Sequence, residues 1–154
     1  MTVNQLLACP DDGYRYELVE GVLIRVAGSR PKAGRITRNI FRQLDGFVRE
    51  RSLGVVTLPD EVYDFERTGQ PNTGLLPDIG FYYAFREALV EDDKPYPFAP
   101  DLAIEVASPP QKADALAAKA QRYLRGGTAL DRLGRGASGG CVAFGGPSSL
   151  FHAH

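Results

Sequence analysis

The sequence predicts a single α/β domain of the α+β kind, with helices packed on a sheet, and three patterns carry that prediction. Two β-prone runs bracket Glu20-Gly21 in "ELVEGVLIRV". Two stretches, "RITRNIFRQLDGFVRER" and "KADALAAKAQRYLRGG", keep their apolar residues at helical spacing. Between these helices, "DLAIEVA" has the nearly unbroken apolar character of a strand buried on both faces.

Taken in order, Glu17 to Val26 reads as a hairpin closed by a tight turn. In the first helix Ile36, Ile40, Leu44, Phe47 and Val48 share one side, and Arg35, Arg38, Arg42 and Arg49 gather on the other. "GVVTLPDEVYDFE" and "LLPDIGFYY" are strand candidates separated by the turn-rich "RTGQPNTG". "REALVEDDKPYPFAP" is interrupted by acids and prolines and reads as a loop or a broken short helix. "DLAIEVA" is the expected central strand, ended by "SPP", and the last helix stops at Gly126-Gly127.

After Thr128 the composition changes to "ALDRLGRGASGGCVAFGGPSSLFHAH", rich in Gly, Ser, Arg and Ala and without a sustained period. The expected organisation is therefore a domain over residues 1–128 and an atypical tail over 129–154. Such a tail is expected to add little to the core.

A chain of 154 residues suits one domain. Nineteen acids against eighteen Lys and Arg leave a net charge of −1, so only a local patch could recruit a polyanion. Arg30, Lys32, Arg35, Arg38 and Arg42 form such a patch, uninterrupted by any acid, and could bind phosphates. The same residues would also serve as an ordinary solvated helix face. Cys9 and Cys141 make neither a disulfide framework nor a zinc site, so a reducing cytoplasm is the expected location. The opening residues lack the pattern of a signal peptide, and no apolar run approaches the roughly 20 residues that span a bilayer.

Chemistry is suggested by acids in apolar settings. Glu105 stands among Leu102, Ala103, Ile104 and Val106, where a lone ionised carboxylate costs several kcal/mol unless it is paired. Asp78 opens "DIGFYY" and Glu17 heads the hairpin strand. If the three converge, oxygen-only ligands favour a hard cation, Mg²⁺ or Mn²⁺. Alternatively, Glu105 pairs with a nearby Arg or Lys, Asp78 caps a turn, and Glu17 solvates an edge strand. Lys119 lies on the flank of the apolar face formed by Leu116, Ala120, Tyr123 and Leu124. From there its ammonium either reaches back toward the sheet or snorkels to solvent.

"YELVEG", "PDIGFY", "DLAIEVASP" and "KAQRYLRGG" together resemble the Uma-two family of restriction endonucleases, within the PD-(D/E)XK nuclease superfamily. The resemblance runs from about Tyr14 to Thr128. It implies a restriction-endonuclease-like fold, a mixed central sheet flanked by helices, with Glu17, Asp78, Glu105 and Lys119 as the active-site set. It also implies Mg²⁺ (or Mn²⁺) held by Asp78, Glu105 and the backbone carbonyl of Val106, and hydrolysis of phosphodiester bonds. The expected partner is nucleic acid, DNA in the first place, with no membrane partner and a homodimer as an open option.

Three departures stand out, the largest being the tail. Relatives usually continue past the Gly-Gly stop into an apolar strand with Val, Trp and Asp-Pro, so the change after Thr128 suggests a frameshifted or truncated end. The superfamily usually places lysine two residues after the strand acid, where this chain has Ala107, so Lys119 becomes the substitute. A histidine that relatives often carry before the first long helix is absent, with Lys32 and Ala33 nearby instead. The rival readings are a catalytically inactive nuclease-fold protein acting as a binding module, and a plain binding domain in which Glu105 is merely salt-bridged.

Overall fold

The computed structural model describes residues 1–106, 113–128 and 141–145. A short helix, α1 (Val3–Leu7), precedes the hairpin of β1 (Arg15–Val19) and β2 (Val22–Val26), and α2 (Pro31–Glu50) follows. Then come β3 (Gly54–Thr57), β4 (Tyr63–Asp64), β5 (Gly74–Leu75), β6 (Ile79–Tyr83), β7 (Leu102–Val106), α3 (Ala113–Arg125) and β8 (Cys141–Gly145). Two four-stranded sheets result, ordered β2-β1-β5-β4 and β3-β6-β7-β8. Every ladder between these strands is antiparallel. A parallel pairing occurs as the isolated bridge between Tyr63 and Tyr96.

The hairpin turns where the sequence places it. Val19 pairs with Val22, and both turn residues lie in the left-handed region, Glu20 at φ 50° and Gly21 at φ 82°. Two positive φ values make the primed turn whose twist suits a hairpin. Asn72 and Thr73 fasten it by accepting from the N–H groups of Gly21 and Glu20.

Each of the two strand candidates breaks into a piece of either sheet. "GVVTLPDEVYDFE" becomes β3 and β4, parted at Pro59, and "LLPDIGFYY" becomes β5 and β6, parted at Pro77. Proline has no N–H for a ladder, so the chain leaves one sheet there and joins the other. The segment after Tyr83 forms a 3₁₀ helix over Ala84–Leu89, in keeping with its broken pattern.

Strand alternation sorts the core into two layers. Ile79, Phe81, Leu102, Ile104 and Val106 point from the second sheet onto α2, against Ala33, Ile36, Ile40, Leu44 and Val48. Tyr82 and Ala103 point the other way, into a cluster with Val19, Tyr63 and Leu75 of the first sheet, Phe65 just after β4, and Ala120 and Tyr123 of α3. Glu105 shares its face with Ala103, two residues earlier, and so points toward α3.

α3 ends in a Schellman arrangement: the Thr128 N–H donates to the Tyr123 carbonyl and the Gly127 N–H to that of Leu124. Gly127 takes the required positive φ of 94°. Gly126 is needed for another reason, because a Cβ there would meet Phe65 Cε1 at 2.5 Å and the Ala99 side chain at 2.9 Å.

The tail, expected to add little to the core, nevertheless supplies a strand. Cys141–Gly145 forms β8, which pairs with β7 along its whole length, Leu102 with Gly145 through Val106 with Cys141. The reason is a vacancy in pairing: β7 is bonded to β6 on one side, and its other edge is satisfied by any extended segment within reach. Among the described residues no helix is long and apolar enough to cross a membrane.

Candidate active site

The site forms where the two sheets and α3 meet. β1 carries Glu17, the turn into β6 carries Asp78, β7 carries Glu105, and α3 lays Lys119 across them. Glu17 and Glu105 are both buried and Asp78 is half-buried. The Lys119 ammonium sits 2.6 Å from Glu17 Oε1 and 2.8 Å from Glu105 Oε1. It also donates to the Leu76 carbonyl at 3.1 Å. An ammonium has three protons, and these three acceptors use them all.

Backbone groups complete the frame. Glu17 Oε1 accepts from the Leu76 N–H at 2.9 Å, and Asp78 Oδ2 accepts from the Val106 N–H at 2.7 Å. The Tyr123 hydroxyl donates to Glu105 Oε1 at 2.9 Å. Glu17, Asp78 and Glu105 thus each offer one oxygen to these bonds, leaving Glu17 Oε2, Asp78 Oδ1 and Glu105 Oε2 outside them.

Burial sets the electrostatics. It pushes the Glu105 carboxyl up to about 7; Lys119 pulls the other way, and the charges of Asp78 and Glu17 add to the rise. Burial alone would lower the Lys119 ammonium, but Glu105 and Glu17 outweigh it and hold the group above its ordinary range. Lys119 therefore stays charged at neutral pH. Burial and the neighbouring carboxylates also raise the Tyr123 phenol, which stays protonated and can only donate toward Glu105.

A profile of the Uma2 family, described as "Putative restriction endonuclease", matches residues 3–130. The chain belongs to the Uma2 family. Four chains of solved structures also match. One is a "putative nuclease belonging to DUF820" from Anabaena variabilis ATCC 29413, at TM-score 0.70 and 21% identity over 84% of this chain and 71% of that one. At that identity the likeness speaks for the fold, which is restriction-endonuclease-like. No curated protein matches significantly.

In this Uma2 chain Glu17, Glu105 and Lys119 meet directly, and Asp78 joins them through the Val106 N–H and its charge on Glu105. The basic run does not join them. Arg30, Lys32, Arg35, Arg38 and Arg42 are exposed on or just before α2, the helix that covers the opposite face of the second sheet. Ala107, the usual lysine position, lies outside the described residues.

Two participants were missing from the site read in the sequence. Tyr123 stands one helical turn after Lys119, and that i, i+4 spacing is the signal that marks it. Leu76 acts through its backbone N–H and carbonyl, which leave no mark in a sequence.

Proposed function

We propose that this chain is a metal-dependent endonuclease that hydrolyses phosphodiester bonds of nucleic acid, with DNA as the substrate. The observation that carries this reading is a buried ammonium held between two strand carboxylates with a third carboxylate beside them. Stability alone is a weak reason for such a cluster, because replacing a buried ion pair by well-packed apolar residues is often neutral or stabilising.

The donor set suits a hard cation. Asp78 and Glu105 present only oxygen, as would the Val106 carbonyl, and such ligands select Mg²⁺ or Mn²⁺ over softer metals. Among the described residues no three His, Cys, Asp or Glu side chains are close enough to share one ion. Two carboxylates with water completing the shell is the arrangement Mg²⁺ ordinarily takes. When bound, such a cation supplies Lewis acidity toward the phosphoryl oxygen and a more acidic water.

The remaining roles belong to the chain itself. Glu17 accepts both the Leu76 N–H and the ammonium through one oxygen, so it positions Lys119. Lys119 has one neutral partner, the Leu76 carbonyl, which is the contact it can exchange for a phosphate oxygen or the attacking water. A preorganised cation of this kind is worth most where negative charge develops in the transition state. Asp78, bonded to the Val106 N–H, fixes the end of β7 against the start of β6.

The test is metal titration paired with cleavage. Mn²⁺ or Mg²⁺ at about 100 times its Kd should stabilise the fold by about 2.7 kcal/mol. At about 2–4 °C per kcal/mol that is a rise in Tm of roughly 5–11 °C. Glu105→Ala should abolish the rise. The wild-type chain should nick supercoiled DNA only with the metal, and Asp78→Asn should lose orders of magnitude in rate. A wild-type chain that neither gains stability from either metal nor nicks DNA overturns the proposal.

A further inference from the structure

Glu105 Oε1 is doubly engaged, by the Tyr123 hydroxyl at 2.9 Å and the Lys119 ammonium at 2.8 Å. A carboxylate oxygen offers about two lone-pair sites, so these donors fill it. Neither contact involves Oε2. We propose that Tyr123 is a positioning residue that, together with Lys119, occupies Oε1 of Glu105 and so reserves Oε2 for a divalent cation. The inference rests on the metal-dependent reading of the same site.

Several features hold the hydroxyl at its task. Tyr123 is fully buried, and Phe65 meets its ring edge-on with centroids 5.8 Å apart. The register of α3 is pinned by Gln70 Nε2, which donates to the Arg122 carbonyl at 2.9 Å, and by Thr128 Oγ1, which donates to the Pro100 carbonyl at 2.7 Å. Lys119 and Tyr123 therefore approach Glu105 as two prongs of one helix face, four residues apart. Filling the space would need only an apolar residue. A buried phenol spent on a carboxylate that already has an ammonium instead fixes how that carboxylate is turned, as groups behind metal ligands commonly do.

The experiment measures Mn²⁺ binding by calorimetry on the full chain. Tyr123→Phe keeps the ring and removes only the donor, and it should weaken Mn²⁺ binding about 10-fold or more. The electron paramagnetic resonance spectrum of the bound ion should change with it. Phe65→Leu is the packing control: it loosens the contact on the ring, should lower Tm, and should leave Mn²⁺ affinity within twofold of wild type. If Tyr123→Phe does not fold, 3-fluorotyrosine at position 123 keeps the ring and the hydroxyl, makes the hydroxyl more acidic and adds one small fluorine beside it. An Mn²⁺ affinity moved by twofold or more then supports the proposal, and an unmoved one overturns it. A wild-type chain that binds Mn²⁺ and a Tyr123→Phe chain that binds it equally well overturn this inference while leaving the metal-dependent reading intact. An equal loss in Phe65→Leu also overturns it, whereas a wild-type chain that binds no Mn²⁺ fails both.

Discussion

Replacing Lys119 by methionine keeps most of the side-chain volume and removes the charge. In metal-free protein this leaves Glu17 and Glu105 buried with a phenol, a backbone N–H and each other's repulsion for company. Removing one partner of a buried ion pair typically costs about 3–5 kcal/mol. For a domain of this size that corresponds to a drop in Tm of roughly 6–20 °C. The cost should depend on pH, because Glu105 can escape by taking a proton. Its folded-state carboxyl already titrates near 7, above the ordinary value of 4.5, so the folded state binds the proton more tightly. Stability from that preference is complete below the ordinary value and is lost as pH rises through 7. Without Lys119 the carboxyl rises further, so the difference between Lys119→Met and wild type should be small at pH 5 and largest at pH 8. Urea unfolding at both pH values measures it. Adding Glu105→Gln to Lys119→Met should restore part of the loss, since the two sites are in contact and their effects cannot add. A loss below about 1 kcal/mol, equal at pH 5 and pH 8, would refute the reasoning, because the ammonium could not then lie among the carboxylates.

Two further outcomes are expected. Ending the chain at Thr128 removes β8, whose ladder on β7 covers five residue pairs; at about 0.5–1.5 kcal/mol per net hydrogen bond, urea unfolding should show a loss of at least about 2 kcal/mol, and an unchanged midpoint would show that β8 adds nothing. Replacing Arg35, Arg38 and Arg42 together by alanine tests whether the outer face of α2 touches DNA: contact should flatten the dependence of log K on log salt by up to about 3 units, and an unchanged slope would leave the DNA to the α3 face.

The local elements were legible because each has a short-range cause. Gly21 fits the left-handed position the turn requires, Ile36, Ile40 and Leu44 repeat at helical spacing, and Gly126-Gly127 stops α3. The two strand candidates were legible as strands and illegible as pieces of different sheets. A proline marks where a ladder must stop, and it does not say which partner the chain takes up next. β8 was missed for a related reason: a short run among glycines becomes a strand when a neighbouring edge accepts it, and that edge is more than thirty residues away in sequence.

The sequence by itself determined the residue types of the site and the elements they stand on: an acid in an apolar strand, an acid before β6, an acid in the hairpin, and a lysine on the flank of a helix. It also carried the resemblance to the Uma2 family, because those types recur at recognisable spacings. Only the tertiary structure decided who faces whom. It set the Lys119 ammonium on Glu17 and Glu105, drew in Tyr123 and the Leu76 backbone, and left the arginines of α2 on the other side of the sheet. The physical reason is that ion pairing and desolvation depend on distances of a few ångströms between chain segments far apart in sequence. Helical and strand periods report only which side of its own element a residue occupies.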